Sequence, residues 1–126
     1  MIKHLILIGT GGFLGSIARY LISRLTARVD WFSIPLGTLA VNVTGSFLIG
    51  LLIGIAERGP VLSVEWRMFL MVGLCGGFTT FSSFTGENLM LMRNGQFASL
   101  LLYTGLSVLL GFTAVYFGYL SSKLMG

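Results

Sequence analysis

The sequence predicts an all-α membrane protein with four transmembrane helices, the third of which is broken near the membrane midplane. Hydrophobic residues make up 55% of the 126 residues and charged residues only 10%, whereas a soluble domain has charge at about a quarter of its positions. The mean hydropathy is +0.92. The few charges lie mostly at the ends of four long apolar stretches. Residues 1–126 therefore form a single four-helix transmembrane domain.

Charged residues mark the limits of the predicted spans. Each span has the roughly 20 residues that a helix needs to cross a hydrocarbon core of about 30 Å, and segments of this length are too long for barrel strands. The first contains Arg19 and the third Glu87, each near the end of its span. The spans run from His4 to Ser23, Ser33 to Ala56, Arg67 to Met92 and Gln96 to Ser122.

Basic residues are balanced between the two membrane faces, four on each. One face carries Lys3, Arg58, Arg67 and Lys123, and the other carries Arg19, Arg24, Arg28 and Arg93. The lysine and arginine bias that orients membrane proteins is therefore nearly absent. We expect insertion in both orientations and an antiparallel dual-topology homodimer; the alternative is a fixed topology set by another partner. The chain has no basic run, so we expect no nucleic-acid partner.

Small residues are spaced for close helix packing. The chain has 18 glycines, and several form small-x-x-x-small pairs, which let helices approach closely in lipid. These pairs are Gly11 and Gly15, Gly50 and Gly54, and Gly73 and Gly77.

The second span carries two polar residues on one helical face. Thr38 and Asn42 are four residues apart, which places them on the same side of a helix. Asn42 falls near the bilayer midplane, where an unpaired amide is costly. A hydrogen bond to another helix is the simplest use of such an amide.

The third span contains a polar stretch that weakens helix. Residues Gly73–Phe84 combine the adjacent glycines Gly76 and Gly77 with four hydroxyl side chains. A broken helix is tolerated in a membrane only where its free carbonyls and amides face protein, an ion or a cavity. Carbonyls near Gly76 are suited to a cation, and amides of the following half-helix to an anion. Phe81 and Phe84, three residues apart, could receive an anion at their ring edges.

Three stretches of this sequence resemble the Fluc (CrcB) family of fluoride channels. They are Gly12–Tyr20, Pro35–Gly45 and Gly73–Phe84, and the likeness extends over essentially the whole chain. The third stretch is the most specific. Ser83 stands where the family usually has threonine, and it keeps the hydroxyl group.

The resemblance implies a fluoride-selective channel in the inner (plasma) membrane that exports F⁻ from the cytoplasm and protects the cell from its toxicity. It also implies an antiparallel dimer with two separate pores. Phe81 and Phe84 would be the pore phenylalanines, and Asn42 the amide that faces the ion. Backbone carbonyls of Gly76 and Thr79 from both subunits would hold a central structural Na⁺.

The resemblance assigns further residues to the pathway. Arg19 and Glu87 would lie nearer the vestibules. The remaining predicted pore residues offer hydroxyl groups, and two of them lie four residues apart on the fourth span. They are Thr38, Ser82, Ser83, Tyr103 and Ser107.

Three other classes of protein fit the sequence less well. A small multidrug-type proton antiporter needs a membrane-embedded carboxylate, but Glu57, Glu65 and Glu87 lie at or near span ends. A subunit that only packs helices would use the same glycines without transport. An enzyme is the least expected class, because no nucleophile–base pair or metal cluster can be assembled from the residues. The single cysteine, Cys75, also excludes a disulfide within one chain.

Overall fold

The computed structural model describes residues 1–125, and these residues form helices joined by short connections. Four segments are long and apolar enough to cross a membrane: Ile2–Thr26, Leu36–Ala56, Val64–Arg93 and Phe97–Leu124. The described residues contain no β-strand. The prediction of four membrane-spanning helices is therefore confirmed. The first and third spans are a few residues longer than the sequence indicated, the fourth is one residue longer, and the second begins three residues later.

The first, second and fourth spans are continuous helices, and the third is assembled from several pieces. The helices are α1 (Ile2–Thr26), α2 (Leu36–Ala56), α3 (Val64–Arg67), α4 (Gly76–Phe78), α5 (Phe81–Arg93) and α6 (Phe97–Leu124), and a π-helical segment at Met68–Cys75 joins α3 to α4. The side chain of Ser63 accepts from the Trp66 amide and so caps the start of α3.

Two extended residues separate α4 from α5. Thr79 has φ −87° and ψ 156°, and Thr80 has φ −151° and ψ 121°. Both lie in the β region of backbone space, which cannot continue a helix. The chain leaves helical geometry for two residues and resumes it at Phe81.

The spans pack closely because glycines lie at their contacts. A Cβ atom at Gly11 or Gly15 of α1 would overlap the backbone of the third span, and one at Gly77 would lie 2.6 Å from the Gly12 carbonyl oxygen. In the second pair of spans, a Cβ atom at Gly50 would overlap the carbonyl of Val115, and one at Gly54 would overlap the Ser122 side chain. The predicted role of the glycine pairs in close packing is confirmed.

Two ion pairs connect the spans at one membrane face. Lys3 lies 3.5 Å from Glu65, and Lys123 lies 3.4 Å from Glu57. Glu57 also accepts a hydrogen bond of 2.6 Å from the Tyr119 hydroxyl. This hydrogen bond, and then the nearby ammonium of Lys123, hold the pKa of Glu57 below its ordinary value. The contacts join α1 to the third span and α2 to α6.

Near the opposite ends of α2 and α6, a small apolar cluster surrounds Tyr103. The fully buried Tyr103 packs with Ile34, Leu39 and Leu91, and its ring centroid lies 5.0 Å from that of Phe84. Most other large apolar side chains in the spans are exposed on the protomer. A lipid environment or a neighbouring membrane helix can cover such a surface.

We predict that Gly118→Ala lowers the melting temperature in detergent, while Gly105→Ala on the same helix does not. A Cβ atom at Gly118 would overlap the carbonyl of Phe47 and lie 3.0 Å from the Leu51 amide nitrogen. At Gly105 no neighbouring atom lies within 4 Å of the added carbon, so alanine there should stabilise the helix by up to about 1 kcal/mol. Equal melting temperatures for the two variants would contradict the packing described here.

Candidate functional site

The extended residues are held by a side-chain amide from the second span. The Nδ2 of Asn42 donates to the Thr80 carbonyl at 3.0 Å, and the Thr80 amide donates to the Asn42 Oδ1 at 2.8 Å. The side chain therefore pairs with Thr80 as a neighbouring strand would. Because Nδ2 carries two hydrogens, one donor of Asn42 is still available to another ligand.

A guanidinium from the first span supports the other end of the interruption. The Nε of Arg19 donates to the Gly77 carbonyl at 3.1 Å. In an uninterrupted helix that carbonyl would accept from the Phe81 amide. The resemblance implies a position for Arg19 nearer a vestibule, and the structure brings its side chain to Gly77 in α4.

Threonine hydroxyl groups form hydrogen bonds with the backbone at the two helix ends that flank the interruption. The Oγ1 of Thr80 accepts from the Ser83 amide at 3.2 Å and caps α5. The Oγ1 of Thr79 donates to the Cys75 carbonyl at 2.9 Å. The Oγ of Ser82 lies 3.5 Å from the Oγ1 of Thr80, while Ser83 contributes its main chain to the cap.

The carbonyls of Gly76 and Thr79 lose their helical donors as a result. The Thr80 amide, which would donate to Gly76 in a helix, donates to Asn42. The Ser83 amide, which would donate to Thr79, donates to the Thr80 side chain. Gly76 and Thr79 line a cavity of about 370 Å³ together with Asn42 and Phe81.

The two predicted pore phenylalanines are neighbours at the start of α5. Their ring centroids lie 5.9 Å apart with an angle of 41° between the ring planes. Phe81 is 76% exposed on the protomer, whereas Phe84 is half-buried against Tyr103. The prediction that the pair projects from one side of this helix agrees with their arrangement.

Glu87 joins three spans, which the sequence did not indicate. Its Oε2 accepts from the Thr38 hydroxyl at 3.0 Å, and its Oε1 accepts from the Tyr103 hydroxyl at 3.1 Å. Each hydroxyl has a single hydrogen, so both donors point at the carboxylate. Thr38 and Glu87 also line a second cavity, of about 440 Å³, which reaches the α1–α2 connection. The spacing of Thr38 and Tyr103 in the sequence predicted the helix face on which each lies. It did not predict that both hydroxyls donate to Glu87.

Ser107, one helical turn from Tyr103, is the last of the predicted pore residues. Its Oγ is covered by protein and has no hydrogen-bond partner among residues 1–125. No group of three or more His, Cys, Asp or Glu side chains within the same residues could hold a metal ion.

The fold and the site define a multi-pass helical membrane protein with a polar, interrupted third span. Residues 6–119 match the family described as CrcB-like protein, Camphor Resistance (CrcB). The chain belongs to this CrcB family.

Relatives of nearly the same length carry one shared name, fluoride-specific ion channel FluC. The protein from Azobacteroides pseudotrichonymphae genomovar. CFP2 is 39% identical over 98% of this chain and 98% of its own. The protein from Chlorobium chlorochromatii (strain CaD3) is 44% identical over 97% of this chain and 94% of its own. A protein from Leptospira interrogans is 44% identical over 86% of each chain.

We predict that Asn42→Ala destabilises the protein by about 2–6 kcal/mol, because it leaves the Thr80 amide and carbonyl without partners, at about 1–3 kcal/mol for each group. Reversible unfolding in mixed detergent would measure the loss. Asn94→Ala, at the exposed end of α5, is the matched control and should change stability little. A loss at Asn42 no larger than that at Asn94 would show that the reciprocal bonds contribute nothing.

Proposed function

We propose that the chain is a fluoride-selective ion channel that exports F⁻ from the cytoplasm down its electrochemical gradient and protects the cell from fluoride. The observation that carries the proposal is the Phe81–Phe84 pair beside the Asn42–Thr80 contact, at a non-helical point of a membrane span. The names of the relatives point to the same ion.

The chemistry of these groups suits a small anion. Fluoride is strongly hydrated, so a pore must replace several water donors at once. Ring edges of Phe81 and Phe84 carry partial positive charge, and the second Nδ2 hydrogen of Asn42 is a true donor. Neither group carries a full charge that would trap the ion.

Arg19, Thr38, Tyr103 and Glu87 have positioning roles in this proposal. The guanidinium of Arg19 is turned toward the Gly77 carbonyl and fixes the end of α4. The carboxylate of Glu87 draws both hydroxyl hydrogens of Thr38 and Tyr103 toward itself. An ion that takes a hydrogen bond from either hydroxyl must compete with Glu87 for it.

The functional unit is proposed to be an antiparallel homodimer with two pores in the inner membrane. Balanced basic residues on the two faces support insertion in both orientations. The exposure of Phe81 on the protomer supports a second copy as its neighbour, because a pore phenylalanine needs walls on all sides.

A structural Na⁺ at the centre of the dimer is part of the proposal. The carbonyl oxygens of Gly76 and Thr79, whose helical donors bond elsewhere, are suited to a hard cation. When bound, Na⁺ would neutralise the partial negative charge of these carbonyls and would fix the extended segment.

Fluoride efflux from liposomes tests the proposed function. We expect the wild type to release fluoride far faster than chloride. Phe81→Ile or Phe84→Ile should reduce the fluoride rate at least about tenfold, equivalent to 1.4 kcal/mol, without dissociating the dimer. The control is Phe112→Ile, because Phe112 is 75% exposed and lies on α6 away from the pair.

Two results would count against the channel. Wild-type vesicles that release fluoride no faster than chloride would exclude fluoride selectivity. Equal fluoride rates for the wild type and both phenylalanine variants would show that the pair serves only to pack helices.

We predict that the protein requires Na⁺ as a structural ion, which is not itself conducted. Dialysis of the protein against a large organic cation should slowly lower both its melting temperature and its fluoride efflux, and Na⁺ should restore them. Full stability and efflux after exhaustive dialysis would exclude the proposed cation at Gly76 and Thr79. Phe81→Ile is the control, because it should keep the dependence of melting temperature on sodium.

A further inference from the structure

One face of α2 carries a polar residue at each of three successive turns. Thr38, Asn42 and Ser46 are spaced four apart and so lie one above another along the helix. Thr38 donates to Glu87 and Asn42 pairs with Thr80, so the first two contact the third span. Ser46 continues this line of polar groups one turn beyond Asn42.

The facing side of α6 follows the same levels. Tyr103 meets Thr38 at Glu87, and Ser107 follows one turn later. At the next turn α6 has Gly111, and a Cβ atom built there would lie 3.8 Å from the Ser46 Oγ. At this third level the hydroxyl therefore comes from α2, and α6 leaves room for it.

Ser46 lines the cavity that also contains Asn42, Gly76 and Thr79. Several span hydroxyls, such as those of Thr10 and Thr113, donate to the carbonyl four residues earlier. Within residues 1–125 the Ser46 hydroxyl has no such bond, so its hydrogen is free to donate to a ligand. Next to Ser46, the cavity wall is formed by Ile49 and Met71, which offer no side-chain donor.

We propose that Ser46 is a further pore residue, whose hydroxyl donates to the fluoride ion on the side of Asn42 away from Thr38. This inference rests on the proposed function. A dehydrated anion must find a donor at each level, and Ser46 is the side chain that supplies one between Asn42 and the apolar wall.

Replacing the hydroxyl tests the assignment. Ser46→Ala should slow fluoride efflux from liposomes about tenfold, because a hydrogen bond to an ion is lost. Thr44→Val removes a hydroxyl from an exposed position two residues away on the same helix and should leave the rate unchanged. The double variant Ser46→Ala with Gly111→Ser presents the hydroxyl from α6 and should recover most of the rate.

Cysteine accessibility gives a second readout that does not depend on fluoride transport. In a Cys75→Ser background, needed because Cys75 lines the same cavity, Ser46→Cys should react with Ag⁺ from the aqueous phase. Fluoride should slow the reaction. Thr44→Cys, which faces away from the cavity, should stay unreactive.

Different results would refute the role of Ser46 and the proposed function of the chain. Unchanged efflux in Ser46→Ala, or an unreactive Ser46→Cys, beside an active wild type would refute the role of Ser46 alone. A double variant with Gly111→Ser that stays as slow as Ser46→Ala would count against a hydroxyl donor at this level. A wild type that carries no fluoride would refute the proposed function itself, whatever the reactivity at position 46.

Discussion

The structure depends on one constraint, which is that backbone polar groups inside a membrane must find partners within the protein. Thr79 and Thr80 leave helical geometry in the middle of the third span, and water cannot satisfy the groups that this exposes. Asn42 satisfies Thr80 from the second span, and Arg19 satisfies Gly77 from the first. A local departure from helix thus requires particular residues from two other spans.

Close packing of the spans makes these contacts possible. The carbonyl of Gly77 is within reach of Arg19 because α1 and the third span meet glycine to glycine, with no side chains between their backbones. The α2–α6 pair meets in the same way at Gly50, Gly54 and Gly118. Glycines, which have no polar side chain of their own, therefore set the geometry of the polar groups.

Much of this arrangement could be predicted from the sequence, and the exceptions share a physical cause. Apolar length predicted the spans, and the spacing of small residues predicted the close contacts. Spacing assigns a residue to a face but does not name its partner. For that reason the hydrogen bond from Asn42 to another helix was predicted, but its partner, the Thr80 backbone, was not. The bridge from Glu87 to Thr38 and Tyr103 was not foreseen either. The π-helical turns of Met68–Cys75 were also missed, because their residues have ordinary apolar helix composition.

The contacts of α5 with the neighbouring spans also limit how the length of the chain can vary. Each residue added to a helix turns whatever follows by about 100°, so one inserted residue just after Phe81 would rotate the rest of α5 away from Thr38 and Tyr103. Between Gly59 and Val61, in contrast, an extra residue would only lengthen an exposed connection. Insertions and deletions should therefore be rare around residues 76–87 and common between the second and third spans, even where individual side chains vary freely.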